Sequence, residues 1–249
     1  MSRNEVPFYT KAAILDRYIR SPNPASDPEA LEIVLEVLRS REDLRGYFFR
    51  SGPSAAWAPI LWDHGFFDRP PSPEETGRGL ALPRWDVQEY LVTVADKAPE
   101  IVIKHVESIS GHAWYLSKAV EALRYIPPGE AERVIPQVRK WLREPAVAGI
   151  VAAQAYELMK KLAQESSTAA LSIFHGLTLP VPKDEVPSRR IGLPGEAACK
   201  FGAAWNKDKV LTEGLQLLWD LNISEVVEIL ENHLCTALKI EALARDEPD

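Results

Sequence analysis

The chain predicts an all-α fold of stacked antiparallel helix pairs, and three observations carry that expectation. Apolar residues recur at i, i+3, i+4 and i+7 in segment after segment. Gly, Pro or Ser punctuates those segments. No run holds the alternation of a strand: LALP near residue 80 and LTLPVP near 177 are too brief, and proline confines them to an edge. A closed helical bundle is the alternative arrangement of the same helices.

The elements follow in order. Residues 8–19 read as a short helix with Ala12, Leu15, Tyr18 and Ile19 on one side, stopped by prolines 22, 24 and 28. Asp27 before Pro28 has the form of an N-cap with a first-turn proline, and Leu31, Val34, Leu35 and Leu38 then make one stripe. After Gly46 the stretch YFFRSGPS reads as an aromatic-bearing turn. Trp57–Asp63 reads as a short apolar helix that breaks at Gly65. Residues 68–84 hold four prolines and no helical period, which makes a loop long for a compact domain: either an excursion packed by its own apolar residues or a surface loop.

From Trp85 the pattern becomes regular. Successive stripes are Val87, Tyr90, Leu91 and Val94; Val102, Val106 and Ile109; Leu116, Ala119, Val120 and Leu123; Val134, Val138, Trp141 and Leu142; Val151, Ala155, Leu158, Met159 and Leu162; and Ala170, Leu171, Phe174 and Leu177. A second proline-rich loop follows at 178–195. Helices resume with Leu211, Leu215, Leu218 and Trp219, and again after Ser224. The expected organisation is residues 1–84 as N-terminal helices and loop, 85–177 as regular helix pairs, and 178–249 as loop and C-terminal helices, in one continuous domain.

Helix starts near Pro99, Glu130 and Ser166 recur at roughly the length of one two-helix repeat. That spacing and polarity over 85–177 resembles the HEAT-like family of α-helical repeats. The segment GFFDRPPSP with its flanking tryptophans is similar to stretches of large bacterial helical-repeat proteins. The resemblance implies an α-solenoid with an extended face for partners, and it carries no active residue across.

Composition narrows the chemistry. Two cysteines, Cys199 and Cys235, form neither a disulfide framework nor a four-cysteine zinc site, so a reducing, cytoplasmic setting is expected. No segment approaches the roughly 20 apolar residues of a membrane span. Net charge is −7, which weighs against nucleic acid as a partner because duplex binding works by neutralising phosphates. The five histidines fit no metal-ligand spacing, and phosphate-loop and nucleophile motifs are missing. Neither a catalytic residue nor a metal or cofactor is therefore expected.

The candidate binding residues are Trp57, Trp62, His64, Arg189, Arg190 and Trp205. Tryptophan is in excess, with seven in the chain, and such rings serve as core packing or as the lining of a groove. Trp57 and Trp62, five apart, project from different sides of one helix. His64 sits beside Asp63 at a helix end, and Arg189–Arg190 lies in the second loop. The expected role is a non-catalytic scaffold or regulatory domain for a protein partner, with the two loops setting specificity and self-association as a further option. The alternative, implied by likeness to HEAT-like DNA glycosylases, is a DNA-binding or base-excision enzyme, which the acidic balance disfavours.

Overall fold

The computed structural model describes residues 8–76, 79–165, 167–178 and 207–219, with 224, 226–228, 230 and 231. These residues are mostly helical. In chain order the helices are α1 (Phe8–Ile19), α2 (Pro28–Ser40), α3 (Glu42–Arg50), α4 (Trp57–Asp63), α5 (Asp86–Thr93), α6 (Pro99–Ser108), α7 (Ala113–Leu123), α8 (Pro128–Ala131), α9 (Ile135–Arg143), α10 (Pro145–Leu162), α11 (Ser167–Thr178) and α12 (Lys207–Trp219). No helix among the described residues is long and apolar enough to cross a membrane.

Local chemistry sets many of the boundaries. Asp27 caps α2 by accepting a hydrogen bond from the Ala30 backbone N–H at 3.1 Å, and Pro28 occupies the first turn, where its missing N–H is no loss. Prolines likewise open α6 and α10. At the far end of α4, Gly65 takes φ +73°, a conformation that costs a residue with a Cβ. Its N–H donates to Trp62 O, and the Phe66 N–H donates to Leu61 O. Those two bonds make a Schellman stop, which satisfies carbonyls left free by the helix and reverses the chain after His64.

Two sequence expectations change. The stretch after Gly46 is not a turn: α3 runs through to Arg50, and the reversal comes at Gly52, φ +71°. Gly46 is small for a packing reason. A Cβ there would lie 2.7 Å from Arg50 Nη1 and 3.2 Å from Asp86 Oδ2, so the glycine leaves space for Arg50 to reach Asp86. The first proline-rich loop also contains an antiparallel hairpin, β1 (Glu74–Thr76) and β2 (Gly79–Ala81), where no strand was expected. Three residues a side carry too little pattern to be read from sequence.

Most helices lie against the next one or two along the chain, and α7 reaches past α8 and α9 to α10. α1 packs on α3, α3 on α5, α5 on α7, α7 on α10 and α10 on α12. In parallel α4 meets α6, α6 meets α8, and α9 meets α11. The buried apolar side chains join into one cluster from Leu15 to Val226. Each fully buried Leu, Ile or Val contributes about 1.5–3 kcal/mol relative to exposure, so this seam outweighs the surface polar contacts described below.

The first proline-rich loop is anchored at both ends. Phe67 is buried against Trp62 and the His105 ring, Pro70 lies under Gly111, and Tyr115 Oη donates to Pro83 O at 2.8 Å. His105 is itself fully buried between Phe67 and Trp85. The Gln88 amide donates one hydrogen to Tyr115 O at 2.7 Å and the other to His105 Nε2 at 3.1 Å. An acceptor at Nε2 puts the imidazole proton on Nδ1, a buried atom with no partner. Three helices, α5, α6 and α7, are thereby tied through the Gln88 amide, with a neutral histidine as one of its two acceptors.

The join between α11 and α12 is tight. A Cβ on Gly214 would lie 2.8 and 3.0 Å from ring carbons of Phe174, which is fully buried. Gly214→Ala gains about 1 kcal/mol of helix propensity but overpacks the ring at about 1–3 kcal/mol. The expected net result is a lower urea midpoint, and an unchanged or raised midpoint would mean that the two helices have room to spare.

Candidate functional site

Polar contacts bridge the first row of helices, α1, α3, α5, α7, α10 and α12. Tyr47 on α3 donates to Asp16 on α1. Arg50 on α3 pairs with Asp86 on α5 at 3.6 Å, Lys118 on α7 with Glu89 on α5 at 3.4 Å, and Arg124, the C-cap of α7, with Glu157 on α10 at 3.9 Å. Tyr156 on α10 donates to Glu213 on α12 at 2.7 Å. Exposed pairs of this kind contribute about 0–1 kcal/mol each, so they fix the register of neighbours more than they hold the fold. Each of these cations is answered by a carboxylate.

The second row differs at two places. On α9, Arg139 reaches across to α11, where its guanidinium donates to Ser172 Oγ at 3.3 Å and His175 Nδ1 at 3.4 Å. Both partners are neutral acceptors. Its Nε is buried without a partner. Arg139 is pushed below its ordinary pKa by burial and then by the Arg143 charge. His175 is lowered by burial first, then by Arg139 and Arg143, against a smaller opposing pull from Glu228. Pro136, Arg139, Lys140, Arg143 and Glu144 line a surface groove of about 450 Å³ along α9. Positive charge therefore gathers where local carboxylates only partly balance it.

The other place is the end of α4. His64 is exposed, and Arg39 Nη2 at the end of α2 lies 2.9 Å from its Nδ1. Arg39, Arg45, His64, Gly65, Phe66 and Arg69 line a concavity of about 240 Å³. The Schellman stop at Gly65 creates this shape by turning the chain so that Arg69 returns beside His64. His64 was picked out in the sequence by its place before Gly65; Arg39, Arg45 and Arg69 were not, because the groups converge from α2, α3 and the loop.

The remaining candidates separate. Trp57 is fully buried, edge-on to Phe48 at 5.1 Å, with Nε1–H donating to Tyr18 O at 3.1 Å, and it presents no surface to a ligand. Trp62 is half-buried against Phe67 at 5.8 Å. Arg189, Arg190 and Trp205, with the 178–195 loop past Thr178, lie outside the described residues. The large exposed aromatics include Trp114, Tyr125 and Trp219, which sequence reasoning did not select. No group of three or more His, Cys, Asp or Glu side chains among the described residues is placed to hold a metal ion.

Comparison with protein-family models, curated proteins and solved structures finds no match to this chain.

Proposed function

We propose that the chain is a non-catalytic protein-interaction scaffold, its helix pairs stacked as a HEAT-like solenoid, that holds an acidic segment of a protein partner along α9. The observation that carries this reading is the groove of Arg139, Lys140 and Arg143 beside His175. Burial and then the Arg143 charge lower the affinity of Arg139 for protons, and burial, Arg139 and Arg143 lower that of His175, whereas the first row pairs its cations with carboxylates. An acidic segment would relieve that repulsion and supply acceptors for guanidinium N–H groups. The order of helix contacts, which stay between helices close together in the chain, supports a stack with one long face open to a partner.

The test is fluorescence anisotropy with a labelled Glu-rich peptide and a labelled DNA duplex at physiological salt. The peptide should bind, and R139Q/K140Q/R143Q should weaken it by about tenfold or more. A duplex bound more tightly than the peptide, and lost in the same variant, would transfer the groove to the DNA-binding reading. No binding of either probe would remove α9 as the partner site.

A further inference from the structure

The concavity at the end of α4 is separate from the α9 groove, and its chemistry is different. We infer that Arg39, Arg45, His64 and Arg69 form a binding site for a phosphate-class dianion, either inorganic phosphate or the terminal group of a phosphomonoester.

The tautomer of His64 is the starting point. A guanidinium offers donors and no acceptor, so the 2.9 Å contact with Arg39 makes His64 Nδ1 the acceptor. The imidazole proton of the neutral ring then sits on Nε2, free to donate. Arg39 spends one of its five N–H groups on this contact and pairs with no carboxylate among the described residues; the same holds for Arg69. Arg45 has only Glu42, at 3.8 Å, and that carboxylate is 91% exposed. Of the six lining residues none is acidic. Asp68 lies near Gly65 and Asp63 precedes His64, but neither lines the concavity.

The number of donors, and the separate elements they come from, select the ligand. One guanidinium fork satisfies both oxygens of a carboxylate. Here three forks and an imidazole N–H come from four places: the end of α2, α3, the cap of α4 and the loop beyond Gly65. A tetrahedral oxyanion has oxygens facing several ways and two charges to distribute, and so uses donors that a planar monoanion leaves idle. The site is also ready-made, because the Schellman bonds hold His64 and turn the chain ahead of Arg69 without a ligand.

The experiment follows the arginine Nε–H and His64 imidazole signals of the intact protein by NMR at constant ionic strength. Separate titrations use inorganic phosphate, O-phosphoserine and acetate. Saturable shifts of Arg39, Arg69 and His64 with phosphate, and much weaker ones with acetate, are expected. Arg39→Gln and Arg69→Gln should each weaken phosphate binding about tenfold, while Arg124→Gln, in its ion pair with Glu157, should leave it unchanged. Both target residues are exposed, so an unchanged melting curve shows that the variants fold. Tighter binding of phosphoserine than of inorganic phosphate identifies a phosphomonoester as the source, and the reverse identifies the free ion. Linear shifts without saturation, acetate binding as well as phosphate, or equal shifts at Arg124 would each overturn the site. None of these outcomes bears on the α9 groove, which is probed with a carboxylate peptide.

Discussion

Trp57→Ala should lower the unfolding free energy by about 3–5 kcal/mol, the largest effect expected of a single substitution in this chain. The ring is fully buried and meets Phe48 edge-on, while Phe48 in turn meets Phe49. Removing it opens a cavity where α3 and α4 join. It also takes the donor from Tyr18 O, the contact that fastens α4 to the end of α1. Trp57→Phe keeps much of the ring and loses only that bond, so about 1–2 kcal/mol is expected. Urea denaturation of both variants separates packing from hydrogen bonding. A loss below about 1 kcal/mol for the alanine variant would mean that Trp57 is not a centre of the N-terminal core.

Acid should destabilise the protein through His105. Burial holds its folded-state pKa down to about 4, against 6.5 for the ordinary imidazole. Between those values the unfolded chain binds a proton that the folded chain refuses, so stability falls as pH drops through this window. Above pH 6.5 the full contribution is present, and below about 4 nothing further is lost from this group. The shift corresponds to about 3 kcal/mol. His112 and His175 are also held below their ordinary value, and Asp27 and Asp43 below the usual carboxylate range, so the whole protein loses stability in acid from several sources. The clean readout is a difference: the stability gap between wild type and His105→Leu should shift by about 3 kcal/mol from pH 7 to pH 4. A gap independent of pH would mean that His105 can reach water or a counter-ion in the fold.

What could be read from the sequence was what one helix dictates to itself. The Asp27–Pro28 start, the Trp57–Asp63 helix, the stop at Gly65 and the stripes from Val87 to Phe174 depend on local periodicity and caps, and they stand where expected. Gly46 misleads because its reason is Arg50 one turn on and Asp86 on α5, not its own backbone. The hairpin at 74–81 was too short to announce itself. Neither basic site was fully visible, since each joins side chains from different helices: Arg39 with His64 across 25 positions, Arg139 with His175 across 36. Ring type leaves Trp57 open to core packing or to groove lining, and the structure places that ring in the core.

We propose that the helices run in a row rather than closing on themselves. Six helices of the first row, α1, α3, α5, α7, α10 and α12, make five successive contacts. At about 8–10 Å between packed axes, those steps put the first and last helix about 40–50 Å apart. Spin labels at the exposed positions Ala13 and Gln216, with Cys199 and Cys235 replaced by serine, report that separation by double electron–electron resonance. A distribution centred near 40 Å or beyond is the expected result, and one centred near 20 Å would bring α1 beside α12 and make the molecule a closed bundle.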